Sequence, residues 1–318
     1  MIERDLLLNS TAAILLGTLA WHYPALRRSW GRRGFALYVL GTLLPFLDTA
    51  VQHVTTDDRI GFLSAQPLFQ APLYGLALIG ALAVLVGFAL SPRPALAMAL
   101  GLGAGYAAHV VLSLLTPAGW PLLAPWTAER IALPILPAGH VLLLLVLFPL
   151  LIATEALPRW RRWIAPAAGV LAGAYLLAGA VQWGIVTYRV RGLATPETTV
   201  GVYPAGPWLA RWLVVEEGPE RYQLRRMYAL TDPLPGPETM PRWNDEPLFL
   251  KLLGDPVVSR FYFRVFHHPV VRLDVSGAQI TLLMQEVQDQ TPLVPGPTFY
   301  LESDLSGRNR FYQLQRFD

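Results

Sequence analysis

The chain has 318 residues, of which 53% are hydrophobic and only 15% are charged, whereas an average soluble domain carries about 25% charged residues. This composition excludes an intrinsically disordered chain, and the absence of cysteine excludes a disulfide scaffold. The formal net charge is only +3 and no basic patch of the nucleic-acid-binding kind occurs, so we expect no nucleic-acid partner.

Charged residues are distributed unevenly along the chain. Residues 1–184 carry 18 of them, while the shorter stretch 185–318 carries 29. We therefore predict a transmembrane helical domain over 1–184, whose partner is the lipid bilayer, and a soluble domain over 185–318.

Six segments of the first part approach the roughly 20 apolar residues that a membrane-spanning helix needs. They are Leu6–Trp21, Phe35–Val51, Leu68–Leu90, Ala95–Thr116, Ala132–Ala153 and Trp163–Gly184. The predicted fold class is thus an α-helical polytopic membrane domain of about six transmembrane helices, followed by a mostly β extracytoplasmic domain.

Arginine predicts the orientation of these helices, because cytoplasmic loops are enriched in basic residues. Eight arginines lie in alternate loops, within RRSWGRR (27–33), at Arg93 and within RWRR (159–162), and three lie in the opposite set. We therefore expect a multi-pass protein of the cell (inner) membrane with both termini and residues 185–318 outside.

The second part of the chain predicts β-structure. The runs WLVVEE, RYQLRRMYAL, SRFYFRVF, VVRLDVSG and QITLLMQEV are rich in β-branched and aromatic residues, and stretches rich in proline and glycine separate them. We expect a compact domain on the outer membrane surface.

Ionisable residues inside predicted spans are functional candidates, because burying them in lipid is costly. Asp48 lies near the outer end of the second segment, His109 in the fourth and His140 in the fifth. At 1.5 Å per residue, the two histidines lie roughly 10–12 Å below the outer ends of their helices. Ser113 follows His109 by one turn on the same helix face.

The loop after the second segment adds further candidates, namely His53 and the pair Asp57-Asp58. Imidazole and carboxylate are ligand types of zinc and manganese sites, so their convergence predicts a divalent metal (Zn or Mn) site at the outer face. Each residue also has a structural interpretation: a lone histidine as a packing residue, Asp48 at a helix end, and the aspartate pair as a solvated loop. The neighbouring residues His267-His268 are weaker metal-ligand candidates.

Two stretches, GTLLPFLDTA and GYAAHVVLSLLTPAGWPLLAPW, resemble those of a family of bacterial membrane-bound metal-dependent hydrolases, some of which carry a soluble C-terminal domain. The second stretch matches best, with His109, Thr116, Pro117, Gly119 and Pro125 in the family's spacing. By direct match the resemblance implies Asp48 and His109 as metal ligands. His140 is inferred from its depth alone.

This sequence also departs from the family pattern. Phe46 and Ser113 stand where the family has aspartates, and Gln66 and Gln70 stand where imidazoles are expected. The family's metal site is therefore depleted here, and His53, His140 and Asp57 are the residues that could rebuild it.

Two functions follow from different classes. The first is a metal-dependent hydrolase at the outer membrane face, acting on a lipid or lipid-linked ester or phosphodiester, with Asp48 or Asp57 as general base and a metal-activated water as nucleophile. The alternative is a non-catalytic relative that serves as a binding or structural protein of the cell envelope. A catalytic metal usually has three protein ligands, and direct matches supply two, which favours the alternative.

Overall fold

The structure is a computed structural model. It describes residues 2–55, 75–77, 79–81, 92–117, 119–123, 131–137, 141–205, 210–230, 234–241, 247–255, 257–258, 262, 268–276, 279–286, 298–304 and 310–315. These residues form two compact units. The helical unit contains the described residues of Ile2–Val51 and Gln66–Val181, and the β unit consists mainly of those of Gln182–Asp318.

Long helices make up the helical unit. They are α1 (Ile2–Trp21), α2 (Pro24–Thr55), α3 (Pro92–Leu114), α4 (Val141–Ala156) and α5 (Arg161–Val190). Residues 75–77 and 79–81 are also helical. A short 3-10 turn, Pro158–Trp160, joins α4 to α5, and a second, Arg191–Leu193, follows α5.

Helices α2 and α3 approach each other so closely that their backbones touch. A Cβ atom at Gly101 would lie 2.1 Å from the Gly34 carbonyl oxygen, and one at Gly105 would lie 2.0 Å from the Tyr38 carbonyl oxygen. Gly101 and Gly105 are four residues apart and share a helix face. Small residues at this spacing are typical of helix pairs that pack inside membranes.

The prediction of about six transmembrane helices is wrong. Among the described residues, two helices are long and apolar enough to cross a membrane, Leu96–Leu114 and Pro158–Leu193. The apolar helices Leu7–Trp21 and Leu142–Ala156 are shorter. The fold is instead a mixture of helices and two antiparallel sheets, and most of the predicted third segment, Leu68–Leu90, lies outside the described residues.

The predicted fifth span shows why counting apolar residues overestimates helix length. Residues 132–137 of this segment are not helical, and α4 begins only at Val141. Pro134 and Pro137 lie in that stretch, and proline inside a helix removes a backbone hydrogen bond and clashes with the preceding turn. The 16 residues of α4 rise roughly 24 Å, less than the roughly 30 Å hydrocarbon core of a bilayer.

The turn between α1 and α2 lies beside the end of α4. Glu155 connects them: its Oε1 lies 2.9 Å from Nε2 of His22, and its Oε2 accepts a hydrogen bond of 3.1 Å from Arg161. Burial, followed by the nearby Arg161 charge, lowers the pKa of His22, so arginine carries the positive charge here at neutral pH. The basic residues in these two turns or in the helix starts that follow them are Arg27, Arg28, Arg32, Arg33, Arg159, Arg161 and Arg162.

The β unit contains two four-stranded antiparallel sheets in which each strand pairs with the next in the chain. The first is β1 (Thr199–Pro204), β2 (Arg211–Glu217), β3 (Arg221–Tyr228) and β4 (Glu238–Pro241); the second is β5 (Pro269–Ser276), β6 (Gln279–Glu286), β7 (Thr298–Asp304) and β8 (Arg310–Gln315). Helix α6 (Pro247–Leu253) lies between them in the chain. Strands β2, β3, β5 and β6 coincide with runs that predict strands, whereas the run SRFYFRVF lies almost entirely outside the described residues.

Both faces of β2 are buried, which explains its continuous run of apolar residues. Trp212 and Val214 pack with Val186 and Val190 at the end of α5. On the opposite face, Leu213 and Val215 form a cluster with residues of β3 and β5, namely Tyr222, Leu224 and Val270. The second sheet packs against Phe249 and Leu252 of α6.

We predict that Gly105→Ala destabilises the helical unit. The added Cβ meets backbone rather than a movable side chain, so α2 and α3 must separate, and overpacking of this kind costs about 1–3 kcal/mol. Thermal unfolding of the detergent-purified protein should show a lower Tm. Gly103→Ala is the matched control on the same helix, because its nearest neighbour is Ile79 at 4.0 Å. Equal Tm values for the two variants would contradict the backbone contact.

Candidate functional site

Helix α1 places two polar side chains in the interior of the helical unit. Asn9 and Ser10 are 2% and 1% exposed, although apolar residues surround them in the sequence. A buried polar group without a hydrogen bond is costly, so each of these side chains requires a partner from another helix. The partners come from α2 and α3.

Ser10 links all three helices. Its hydroxyl donates to the Thr42 carbonyl oxygen of α2 at 2.9 Å and lies 3.0 Å from Nδ1 of His109 of α3. A serine hydroxyl has one proton. Because that proton is directed at Thr42, the Nδ1 atom of His109 carries the proton of the second hydrogen bond, and in the neutral ring Nε2 carries the lone pair.

A proline in α2 lies close to the Thr42 carbonyl that Ser10 contacts. Pro45 lies inside α2 and is buried, and its ring removes one helix hydrogen bond and crowds the carbonyls of the preceding turn. In an apolar surrounding, hydroxyl side chains of neighbouring helices satisfy the backbone groups that such prolines disturb. The Ser10 hydroxyl supplies such a donor to the Thr42 carbonyl, three residues before Pro45.

The second hydrogen bond between α1 and α3 joins Asn9 and Ser113. The Asn9 side-chain amide donates to Oγ of Ser113 at 2.8 Å, and Ser113 is 2% exposed. His109 and Ser113, which the sequence places on one helix face, therefore contact adjacent residues of α1.

The stretch after α3 caps the helix and returns towards His109. The carbonyl oxygens of Leu114 and Leu115, which lack partners within the helix, accept from the backbone N–H groups of Leu133 and Leu136 at 2.7 and 2.8 Å. Gly119 then turns the chain with a φ of 60°. The matched spacing of Thr116, Pro117 and Gly119 thus has a structural basis, which is helix termination.

Trp120 follows this turn and packs against the imidazole. Its ring lies edge-on to His109 with a centroid distance of 5.4 Å, and its backbone pairs with Ile131 through two hydrogen bonds of 2.9 Å. Both rings are buried, at 1% and 0% exposed. Nε1 of Trp120 and Nε2 of His109 are buried and have no hydrogen-bond partner among the described residues.

The groups that the structure describes around His109 are uncharged. They are the Ser10 hydroxyl, the Thr42 backbone carbonyl and the Trp120 indole ring, and the neighbouring pair is an amide and a second hydroxyl. In the part of the chain that the structure describes, no group of three or more His, Cys, Asp or Glu side chains could hold a metal ion. The described donor set therefore does not fit a zinc or manganese site.

Several predicted site residues lie beyond what the structure describes. Asp48 and His53 belong to helix α2, but their side chains are outside the description, and Asp57 and His140 lie outside the described residues altogether. The predicted convergence of these residues with His109 stays a prediction.

The sequence analysis did not identify Asn9, Ser10, Thr42 or Trp120. For the first two residues the sequence does contain a signal: an Asn-Ser-Thr triplet interrupts the apolar run of α1, and polar residues within apolar helices commonly form hydrogen bonds between helices. For Thr42 the contact is made by a backbone carbonyl, which no side-chain pattern reveals.

Comparisons with known proteins identify no relative. No family model matches the chain, and neither a curated protein nor a solved structure matches it. The resemblance to membrane-bound metal-dependent hydrolases stays a prediction from the two sequence stretches.

We predict that Ser10→Ala destabilises the protein by about 1–3 kcal/mol. The change removes the buried hydroxyl that contacts both Nδ1 of His109 and the Thr42 carbonyl, and weakening the hydrogen bonding of buried polar groups costs about this much. The control is Thr11→Ala, because the Thr11 hydroxyl is exposed and bonds only within its own helix, to Leu7. Thermal unfolding should separate the two variants, and a Tm for Ser10→Ala equal to that of Thr11→Ala would contradict the role of Ser10.

Proposed function

We propose that this chain is a membrane-anchored protein of the cell envelope, in which the helical unit is a non-catalytic anchor and the β unit carries the binding surface outside. The observation that carries the proposal is helix α5. The helical stretch Pro158–Leu193 has 36 residues and contains an apolar segment of 18 residues, of which only 17% is buried. Lipid is the partner that such a surface fits.

The exposed residues of α5 are large and apolar. Val170, Leu171, Leu177 and Val181 are 48–70% exposed, more apolar surface than a soluble protein would leave uncovered along one helix. Thirty residues of helix rise roughly 45 Å, which exceeds the roughly 30 Å of a bilayer core. The length and the exposed surface together favour a helix that crosses the bilayer.

Aromatic residues and arginines mark both ends of this helix. Trp163 lies near its first turn with the Arg162 guanidinium 5.6 Å from its ring centroid, and Tyr188 lies near its last turn with Arg191 at 4.1 Å. Tryptophan and tyrosine favour the two interfaces of a membrane, and arginine extends its charged group towards water. The two rings are 25 positions apart, a rise of roughly 37 Å, and this distance supports their location at opposite interfaces.

The basic turns favour one orientation of the anchor. Seven arginines lie in the α1–α2 and α4–α5 turns or in the helix starts that follow them, and the Glu155 contacts connect the two turns. Together they form a basic end. By the positive-inside rule this end is cytoplasmic. Helix α5 starts there, so the β unit that follows it lies on the extracytoplasmic side.

The surroundings of His109 support a structural role for the helical unit. Catalysis by a bound metal requires ligands that neutralise its charge, usually three from the protein, and the groups described around His109 are neutral. Its imidazole, Ser10 and the Thr42 carbonyl instead join three helices in one hydrogen-bonded group, which fixes their packing.

A depleted metal-dependent hydrolase is the second candidate. The observation that favours it is Nε2 of His109, a buried lone pair without a described partner, since neutral imidazole is a metal ligand through either nitrogen. Asp48, His53 and His140 would have to complete the ligand set, with Asp57 or Asp48 as base and a lipid-linked ester or phosphodiester as substrate.

The orientation is tested with single-cysteine variants, because the chain has no natural cysteine. A membrane-impermeant maleimide should label Glu220→Cys, in the exposed turn between β2 and β3, in intact cells. It should label Leu157→Cys, 44% exposed beside the basic end, only after permeabilisation. Glu197→Cys, also exposed, is the control for the outer side. Labelling of Leu157→Cys in intact cells, without labelling of the other two variants, would reverse the orientation.

Metal content separates the two candidate functions. For a non-catalytic anchor we expect far less than one zinc or manganese per purified chain by elemental analysis, and no change in Tm on chelation. His109→Ala should then leave the metal content as it is, and so should the control His22→Gln. One tightly bound metal per chain, lost in His109→Ala together with esterase or phosphodiesterase activity, would overturn the anchor proposal and favour the hydrolase.

A further inference from the structure

The β unit contains a chain of three hydrogen-bonding side chains centred on His268, which directly precedes β5. Nε2 of His268 lies 2.6 Å from the hydroxyl of Tyr203 in β1, and Nδ1 lies 3.1 Å from Oε2 of Glu217 in β2. The histidine side chain is 11% exposed and that of Glu217 is 20% exposed. A carboxylate, an imidazole and a phenol are thus connected in series by two hydrogen bonds.

The direction of the protons follows from the chemistry of the three groups. An ionised carboxylate only accepts hydrogen bonds, so Nδ1 of His268 donates to Glu217. In the neutral ring the lone pair is then on Nε2, and the Tyr203 hydroxyl donates to it. The imidazole is therefore oriented to take the phenolic proton, and Glu217 stabilises the imidazolium that results.

Two features of the first sheet hold this arrangement in place. The ring of Tyr203 lies over Gly201, where a Cβ atom would meet Cε2 and Oη of the tyrosine at 2.6 and 2.8 Å, so only glycine leaves room for the hydroxyl at this point. On the other side, the buried Tyr222 packs edge-on to His268, at a centroid distance of 6.2 Å, and its hydroxyl donates to the Pro269 carbonyl at 3.1 Å.

We propose that Tyr203 is a nucleophile for acyl transfer, with His268 as general base and Glu217 as the residue that positions it. A nucleophile, a base and an orienting group within about 2.6–3.2 Å of one another are the signature of covalent catalysis, and both distances lie in this range. This site belongs to the β unit and goes beyond the anchor role of the helical unit.

The chemistry of a phenol defines the class of substrate. Tyrosine has an ordinary pKa of about 10, so its oxygen displaces only leaving groups of similar or lower basicity. A thioester or an aryl ester meets this condition, because thiols have a pKa of about 8.5 and phenols one of about 10. The substrate is therefore an activated acyl donor rather than an alkyl ester.

The proposed hydrolysis of the acyl donor requires no reagent other than water. The Tyr203 oxygen bonds to the acyl carbon, the carbon–sulfur or carbon–oxygen bond to the leaving group breaks, and the phenolic proton passes through Nε2 of His268 to the leaving group. Water then attacks the acyl-tyrosine, with His268 again taking the proton. The carboxylic acid leaves, and the hydroxyl of Tyr203 is restored.

Covalent labelling of the full-length protein in detergent tests the activation of Tyr203. An arylsulfonyl fluoride is the probe, because the phenol oxygen displaces fluoride from sulfur and leaves a stable sulfonate ester that peptide mass spectrometry locates. At pH 7.5 we expect Tyr203 to react about tenfold or more faster than Tyr188 and Tyr228, since a positioned general base contributes roughly 10²–10⁴-fold. The two control tyrosines are more exposed, at 64% and 45%.

The pH profile distinguishes a relay from a merely buried tyrosine and needs no variant. With His268 as base, the labelling of Tyr203 relative to Tyr188 and Tyr228 should be greatest near neutral pH and should fall as the pH rises towards about 10, where an unassisted phenol ionises by itself. The proposal is overturned if the labelling rate of Tyr203 depends on pH in the same way as that of Tyr188 and Tyr228, or is no greater than theirs. Tyr203 would then have only a structural role.

Variants test each role separately. His268→Gln and Glu217→Gln should each lower Tyr203 labelling at pH 7.5 by about tenfold or more. Glu238→Gln is the matched control, because it removes the same charge from an exposed pair with Arg226.

Ester cleavage tests Tyr203 itself. Release of p-nitrophenolate from p-nitrophenyl acetate should be lost in Tyr203→Phe and retained in Tyr228→Phe, because the Tyr228 hydroxyl accepts a hydrogen bond from Arg211 instead. Equal release by these last two variants would also overturn the proposal.

Discussion

The close backbone approach of α2 and α3 is the constraint on which the helical unit depends. It is possible only because glycine stands at the contact positions; a Cβ atom at Gly41, for example, would lie 2.1 Å from the Leu102 carbonyl oxygen. With the backbones in contact, the Thr42 carbonyl of α2 and the imidazole of α3 come within reach of a single hydroxyl on α1. The hydrogen-bonded group of Ser10, Thr42 and His109 therefore depends on how closely α2 and α3 pack.

The sequence predicts the interior polar residues of α3 better than it predicts the number of helices. His109 and Ser113 are both buried and both bonded to α1, and their spacing of one turn was sufficient to place them on one face. The number of spans was wrong because apolar composition does not show where a helix stops. Pro134 and Pro137 did carry that information, and they coincide with a non-helical stretch whose backbone N–H groups cap α3.

Contacts between distant residues account for most of what the sequence could not predict. The pairs Ser10–His109 and Tyr203–His268 are separated by 99 and 65 residues, and hydrogen bonds of this kind leave no periodic pattern. For the β unit, local alternation and turn residues were enough to predict strands such as β2 and β3, because each strand pairs with its neighbour in the chain. The order of the strands follows from the same locality.

The two histidines show how surroundings decide the chemistry of one side chain. His109 has a serine hydroxyl on Nδ1 and no described carboxylate neighbour, so nothing described offsets the charge of an imidazolium in an apolar interior. His268 has a carboxylate on Nδ1 and a phenol on Nε2, so a proton that arrives on the ring meets a negative charge. An imidazole that gains and loses a proton during a reaction needs a carboxylate neighbour, as His268 has. A neutral imidazole that only fixes the packing of helices does not need one, and His109 is of this kind. This contrast is the physical basis for proposing proton transfer in the β unit and helix packing in the helical unit.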